Sequence, residues 1–118
     1  MNKEIQSALD VAIAICEKNN IVPTAFLYES STYLIGMQGR TLMHARKDLF
    51  GQFADGHRIR TSIVTHYEIV ESLLIAQTLS FSRYVVIGYA PETSMVEVIT
   101  ELRDMLGYDA DDMAGIIH

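Results

Sequence analysis

The Asp55-Gly56 pair, set between runs that alternate apolar and polar residues, constrains this chain more than any other feature. Glycine accepts the positive φ that a tight reversal demands, so residues 51–64 predict a β-hairpin, and the echo at residues 78–88 predicts strands that continue the same sheet. Side-chain parity selects the loop. A two-residue loop would pair Phe53 with Arg58 and place the ring on the face of Arg58 and Arg60. A three-residue loop of Ala54, Asp55 and Gly56 instead pairs Phe53 with His57 and Gly51 with Ile59. Phe53, Ile59, Thr61 and Ile63 then share one face while Arg58, Arg60 and Ser62 share the other. The three-residue loop is the preferred reading, and it implies a sheet with one buried face and one basic, wet face.

The flanks read as helices. Residues 2–19 place Ile5, Ala8, Leu9, Ala12, Ile15 and Cys16 at three-and-four spacing, an amphipathic helix that stops at Asn19-Asn20, with Pro23 just beyond. Ser94 followed by Glu97 is a capping box opening a second helix, whose apolar face runs from Met95 to Leu106 and ends at Gly107. Asp109 is placed to cap a last turn, and Ile116-Ile117 reads as packed on the domain or on a partner chain. Between the helices, residues 24–28 and 32–38 predict two strands joined by a turn at Ser30-Ser31, with Gly36 a bulge or a point of close backbone approach. Residues 41–50 fit helix, strand or loop equally. Residues 66–79 fit both periods, and strands with a turn near Glu71-Ser72 are preferred. Residues 83–89 predict a central strand, because Tyr84, Val85, Val86 and Ile87 favour β structure and Gly88 and Pro91 bound the run.

Gly51, Phe53, Asp55, Gly56, Ile59, Thr61, Ser62 and Val64, followed by Thr78, Ser80, Ser82, Tyr84 and Gly88, resemble the core of small phage and prophage-type proteins with no assigned chemistry. The resemblance covers the middle third to half of the chain. Its matching residues are turn and packing types, so it implies a shared antiparallel sheet rather than a shared active site.

At 118 residues, with 49% apolar and 20% charged side chains, the chain predicts one globular domain with its own core. No basic stretch precedes a long apolar run, so neither a signal peptide nor a membrane span is expected and the expected location is the cytoplasm. The single Cys16 lies among Ile13, Ala14 and Ile15, where a thiol behaves as a small hydrophobe. The net charge of −6 is unevenly spread. Residues 40–64 hold Arg40, Arg46, Lys47, Arg58 and Arg60 against Asp48 and Asp55, a balance of +3. Residues 92–118 hold seven acids against Arg103, a balance of −6.

Catalytic and metal motifs are weak. His44, His57, His66 and His118 lack liganding spacing, a triad of His57, Asp55 and Ser62 has no nucleophile motif around it, and Gly36 and Gly39 do not make a phosphate loop. No catalysis, metal or cofactor is therefore expected. Two surfaces remain. Arg58 and Arg60, with Arg40, Arg46, Lys47 and Tyr33 near, fit a phosphate backbone, against a chain pI of about 5.0. Glu97, Glu101, Asp104, Asp109, Asp111 and Asp112 fit either the wet face of a helix or a mimic of the phosphate path of nucleic acid.

The expectation is an α+β domain: about five antiparallel strands, curled towards a partial barrel, between an N-terminal and a C-terminal helix. The expected function is that of a non-enzymatic phage or prophage accessory protein that binds, and inhibits, a host or defence protein in the manner of anti-CRISPR proteins. Its expected surfaces are the acidic helix and the hairpin tip, Phe53 and Asp55 with Arg58, and a homodimer is expected. The alternative is a nucleic-acid or nucleotide-binding module using Arg58, Arg60, Arg46 and Lys47.

Overall fold

The computed structural model describes residues 2–45 and 55–107. Helix α1, Lys3–Lys18, starts where the Asn2 side chain accepts a hydrogen bond from the Ile5 amide at 2.8 Å. It ends at Asn19, and Asn20 follows with φ 57°. Six strands follow among the described residues: β1 Ala25–Tyr33, β2 Gly36–Leu42, β3 Arg58–Arg60, β4 Val64–Val70, β5 Leu73–Thr78 and β6 Arg83–Val86. Helix α2, Met95–Leu106, closes the described chain. The Ser94 hydroxyl accepts from the Glu97 amide at 3.2 Å, and Gly107 stops the helix at φ 77°.

The sheet order is β3-β2-β1-β6-β5-β4, antiparallel except where β1 runs parallel to β6. β6 is therefore central, as expected. The two edge strands are consecutive in the chain, separated only by residues 61–63. That link spans at most about 14 Å, whereas five steps across a flat six-stranded sheet amount to about 24 Å. The sheet must therefore roll until its edges meet. At the meeting point the Thr61 amide donates to Met37 O (2.8 Å), the Val64 amide to Ile35 O (3.0 Å) and the Leu79 amide to Ile63 O (2.8 Å). Gly36 permits this approach, since a Cβ there would lie 2.8 Å from Ser62 O. The bend also explains why six strands stand where about five were expected: one run of chain is split between two partners.

Each face is covered by one helix. On the concave face Met37 of β2 and Val64 of β4, from opposite ends of the strand order, join Leu74, Ala76 and Val86 beneath Val98 and Leu102 of α2. On the other face Leu9, Ala12 and Cys16 of α1 pack on Phe26, Leu42, Leu73, Ile75 and Val85. Burial raises the pKa of the Cys16 thiol, in keeping with a packing role.

Several expectations are corrected. Ser30-Ser31 is not a turn. The Ser30 amide donates to Gly88 O (3.1 Å) and its carbonyl accepts from the Ala90 amide (2.9 Å), which carries β1 through a bulge to Tyr33, and the reversal falls at Leu34-Ile35. Ile63 is not on the buried face, because the bend at the joint resets the alternation and leaves it 41% exposed beside buried Val64. Nor is one whole face of the sheet wet, because α1 covers its centre. Ile59 pairs with Gly39 of β2, while Gly51 and Phe53 lie outside the described residues. The turn at Glu71-Ser72 forms as expected, with φ of 48° and 69°.

Candidate interaction surfaces

The acidic helix contributes three described carboxylates, and the fold already uses two. Glu97 belongs to the N-cap, where its Oε1 accepts from the Ser94 hydroxyl at 3.4 Å, and Glu101 accepts from the Thr32 hydroxyl of β1. Asp104 is exposed, and its carboxylate makes no ion pair or hydrogen bond among the described residues, although its backbone carbonyl accepts from the Gly107 amide at 3.2 Å. Asp109, Asp111 and Asp112 lie outside those residues.

The basic face assembles from β2 and β3. Register sets Arg58 opposite Arg40 and Arg60 opposite Gln38, so the three arginines share the side of the sheet away from α2. Arg40 is held by the Glu29 carboxylate at 2.8 Å and donates to Gly56 O at 3.0 Å. The Arg60 guanidinium sits 4.0 Å from the centre of the Tyr33 ring, a cation–π contact. Arg58 is exposed. Arg46, Lys47 and Phe53 lie outside the described residues. Asp55 serves the turn: its Oδ1 accepts from the Met43 amide at 2.8 Å while Gly56 takes φ 83°.

Sequence reasoning missed a third surface. Where the rolled sheet closes, Leu34 and Ile35 of the β1–β2 turn, Ile63 of the joint, and Leu79 and Phe81 of the β5–β6 turn stand side by side. The backbone bonds that tie residue 35 to 64 and residue 63 to 79 bring these two turns and the joint to one edge of the fold. Leu34 is 78% exposed and Phe81 82%. Leu34 takes φ 53° and Phe81 φ 66°, positions where glycine or asparagine carries least steric cost. Beneath them the Ser80 hydroxyl bonds Thr78 (3.1 Å), Ser62 (3.3 Å) and Ser82 (3.4 Å), so the alternating Thr-x-Ser-x-Ser run holds the turn that presents Leu79 and Phe81. The available signal was apolar side chains at turn positions, which looks like noise until the two turns are known to meet.

Two adjoining clefts flank α1. The larger, about 400 Å³, runs between Ala8, Val11 and Ile15 and the floor of Leu73, Val86 and Ile87, and the smaller, about 280 Å³, lies by Glu4, Tyr28 and Glu29. Tyr89 lines both, and burial pushes its phenol up to about 12.

The histidines stay apart. His44 is buried edge-on to Tyr84, with ring centroids 6.2 Å apart, His57 is exposed, and His66 lies beside the Thr65 hydroxyl. His118 lies outside the described residues. Among the described residues no three His, Cys, Asp or Glu side chains gather as metal ligands, and no helix is long and apolar enough to cross a membrane. The chain matches no protein-family model, no curated protein and no solved structure.

Proposed function

We propose that this protein acts without catalysis, by covering a surface on another protein with the apolar rim formed by Leu34, Ile35, Ile63, Leu79 and Phe81. The observation that carries the reading is the rim itself: large apolar side chains open to water, two of them, Leu34 and Phe81, at strained turn positions. A fold gains nothing from Phe81 at 82% exposure and φ 66°, and polar or glycine residues there would be more stable. Contiguous exposed apolar patches of the order of a few hundred Å² mark binding sites in soluble proteins. The phage-type resemblance extends the proposal to a host or defence protein as partner, with inhibition as the consequence of capture. The rim takes precedence over the acidic helix because Glu97 and Glu101 are engaged within the fold, which leaves Asp104 as the flanking charge among the described residues.

The test is capture of a partner from the native host by the wild-type chain and by the Leu34→Ser, Phe81→Ser double variant. A partner held by the first, lost by the second and retained in high salt is expected. Equal capture by both would refute the rim.

A second reading, nucleic-acid binding on the basic face, is favoured by Arg60 stacked on Tyr33 beside exposed Arg58. It expects affinity that falls steeply with salt and drops on Arg58→Ala.

A further inference from the structure

The flank of α1 that borders the larger cleft is separate from the rim. Glu4, Ala8, Val11, Ile15 and Lys18 follow a four-three-four-three spacing, the seam of a two-helix coil. The core stripe of Leu9, Ala12 and Cys16 points into the sheet, and half-buried Ile15 packs against the edge of that core while also lining the cleft. Val11, at the midpoint of the seam, is 60% exposed, and the 400 Å³ cleft lies directly beside it.

The seam is self-complementary in one orientation only. When two copies of α1 run antiparallel about a two-fold axis at Val11, residue 4 of each meets residue 18 of the other. Glu4 then faces Lys18 at both ends, and Val11 meets its own copy in the middle. Parallel helices would set Glu4 against Glu4 and Lys18 against Lys18. Lys18 already pairs with Glu71 at 3.2 Å, yet its side chain is 71% exposed and keeps donors for a second carboxylate. In that arrangement the cleft would accept apolar side chains of the opposing helix, so each copy would offer both a ridge and a groove.

We propose that the occupant of this face is a second copy of the chain, in an isologous dimer with antiparallel α1 helices. The charge pattern names the occupant, because a face that complements its own reversed copy fits closed two-fold pairing and no open chain of contacts.

The experiment is molar mass by light scattering and sedimentation from micromolar to near-millimolar concentration, on the full chain. Wild type is expected to rise from 13.2 kDa towards twice that mass. Val11→Glu, a substitution at an exposed site, is expected to weaken association at least roughly tenfold by burying like charges together at the axis. Its circular dichroism should be unchanged. Orientation is read by cysteine cross-linking against a wild-type control, in which Cys16 is buried. Val11→Cys should link to its own copy on oxidation. Ser7→Cys should not, because the two copies of residue 7 would be displaced by about 12 Å along antiparallel helices, beyond disulfide reach. A monomer at every concentration, a dimer indifferent to Val11→Glu, or Ser7→Cys linking in place of Val11→Cys would each overturn the proposal.

Discussion

Replacing Gly36 with alanine tests whether the rolled sheet depends on the joint at residues 61–63. The added Cβ would stand 2.8 Å from Ser62 O and 2.9 Å from both Thr61 O and Thr61 Oγ1. Two of these atoms are backbone and cannot swing aside as a long side chain would, so the whole link must retreat. The link is anchored by the Thr61 amide to Met37 O and by the Met37 amide to Thr61 Oγ1, at 2.8 and 2.9 Å. Overpacking of this kind costs about 1–3 kcal/mol, and one lost hydrogen bond adds about 1 kcal/mol. Alanine returns about 0.4–1 kcal/mol by restricting the unfolded chain, which leaves a net loss of about 1–3.5 kcal/mol. Gly88→Ala is the control, because its Cβ would meet Tyr28 Cβ at an ordinary 3.4 Å, and it should leave stability unchanged or raise it by up to about 1 kcal/mol. Urea unfolding monitored by circular dichroism gives both midpoints. Hydrogen exchange should show protection lost first at the amides of Met37, Thr61, Val64 and Leu79. Coincident midpoints for the two variants, or protection lost evenly over the sheet, would refute the idea that the joint holds the roll.

Other substitutions separate strain from function. Phe81→Gly is expected to raise stability by about 1 kcal/mol by relieving a left-handed phenylalanine, while abolishing rim-dependent partner capture, and a lower unfolding midpoint would remove the strain argument. Ser94→Ala should cost about 1 kcal/mol through loss of the N-cap of α2, read in the same urea assay. Tyr89 gives a pH signature. Burial raises its folded-state pKa to about 12, above the phenol's ordinary value of 10.0, so the unfolded chain releases the phenolic proton first. Stability from this group is therefore full below about pH 10 and lost as pH rises towards about 12, and Tyr89→Phe should flatten thermal stability over that window.

Local signals were readable without the fold. The spacing of Leu9, Ala12 and Cys16, the stop at Asn19, the Ser94 cap and the left-handed Gly107 each depend on residues within one or two turns, and each stands as read, while Glu97 accepts from the Ser94 hydroxyl rather than from the Ser94 amide that a capping box expects. The reversal at Glu71-Ser72 and the β character of residues 83–86 were legible for the same reason. Ser30-Ser31 failed because turn propensity is weak beside two backbone hydrogen bonds from residues 88 and 90, which are distant in sequence. The clustering of Arg40, Arg58 and Arg60 was visible from charge density, but the contact of Arg60 with Tyr33 needed the register.

By itself, then, the amino-acid sequence determined two amphipathic helices, their caps, a core built from alternating strands, and the α+β class, because periodicity and capping act over a few residues. Only the tertiary structure decided which strands are edges, that those edges meet, that Ile63 turns outward, and that Leu34, Ile35, Leu79 and Phe81 form one rim. The physical reason lies in the roll. Three residues cannot cross a flat six-stranded sheet, so the chain closes the sheet on itself, and that closure brings together turns whose apolar residues have no local cause to be neighbours.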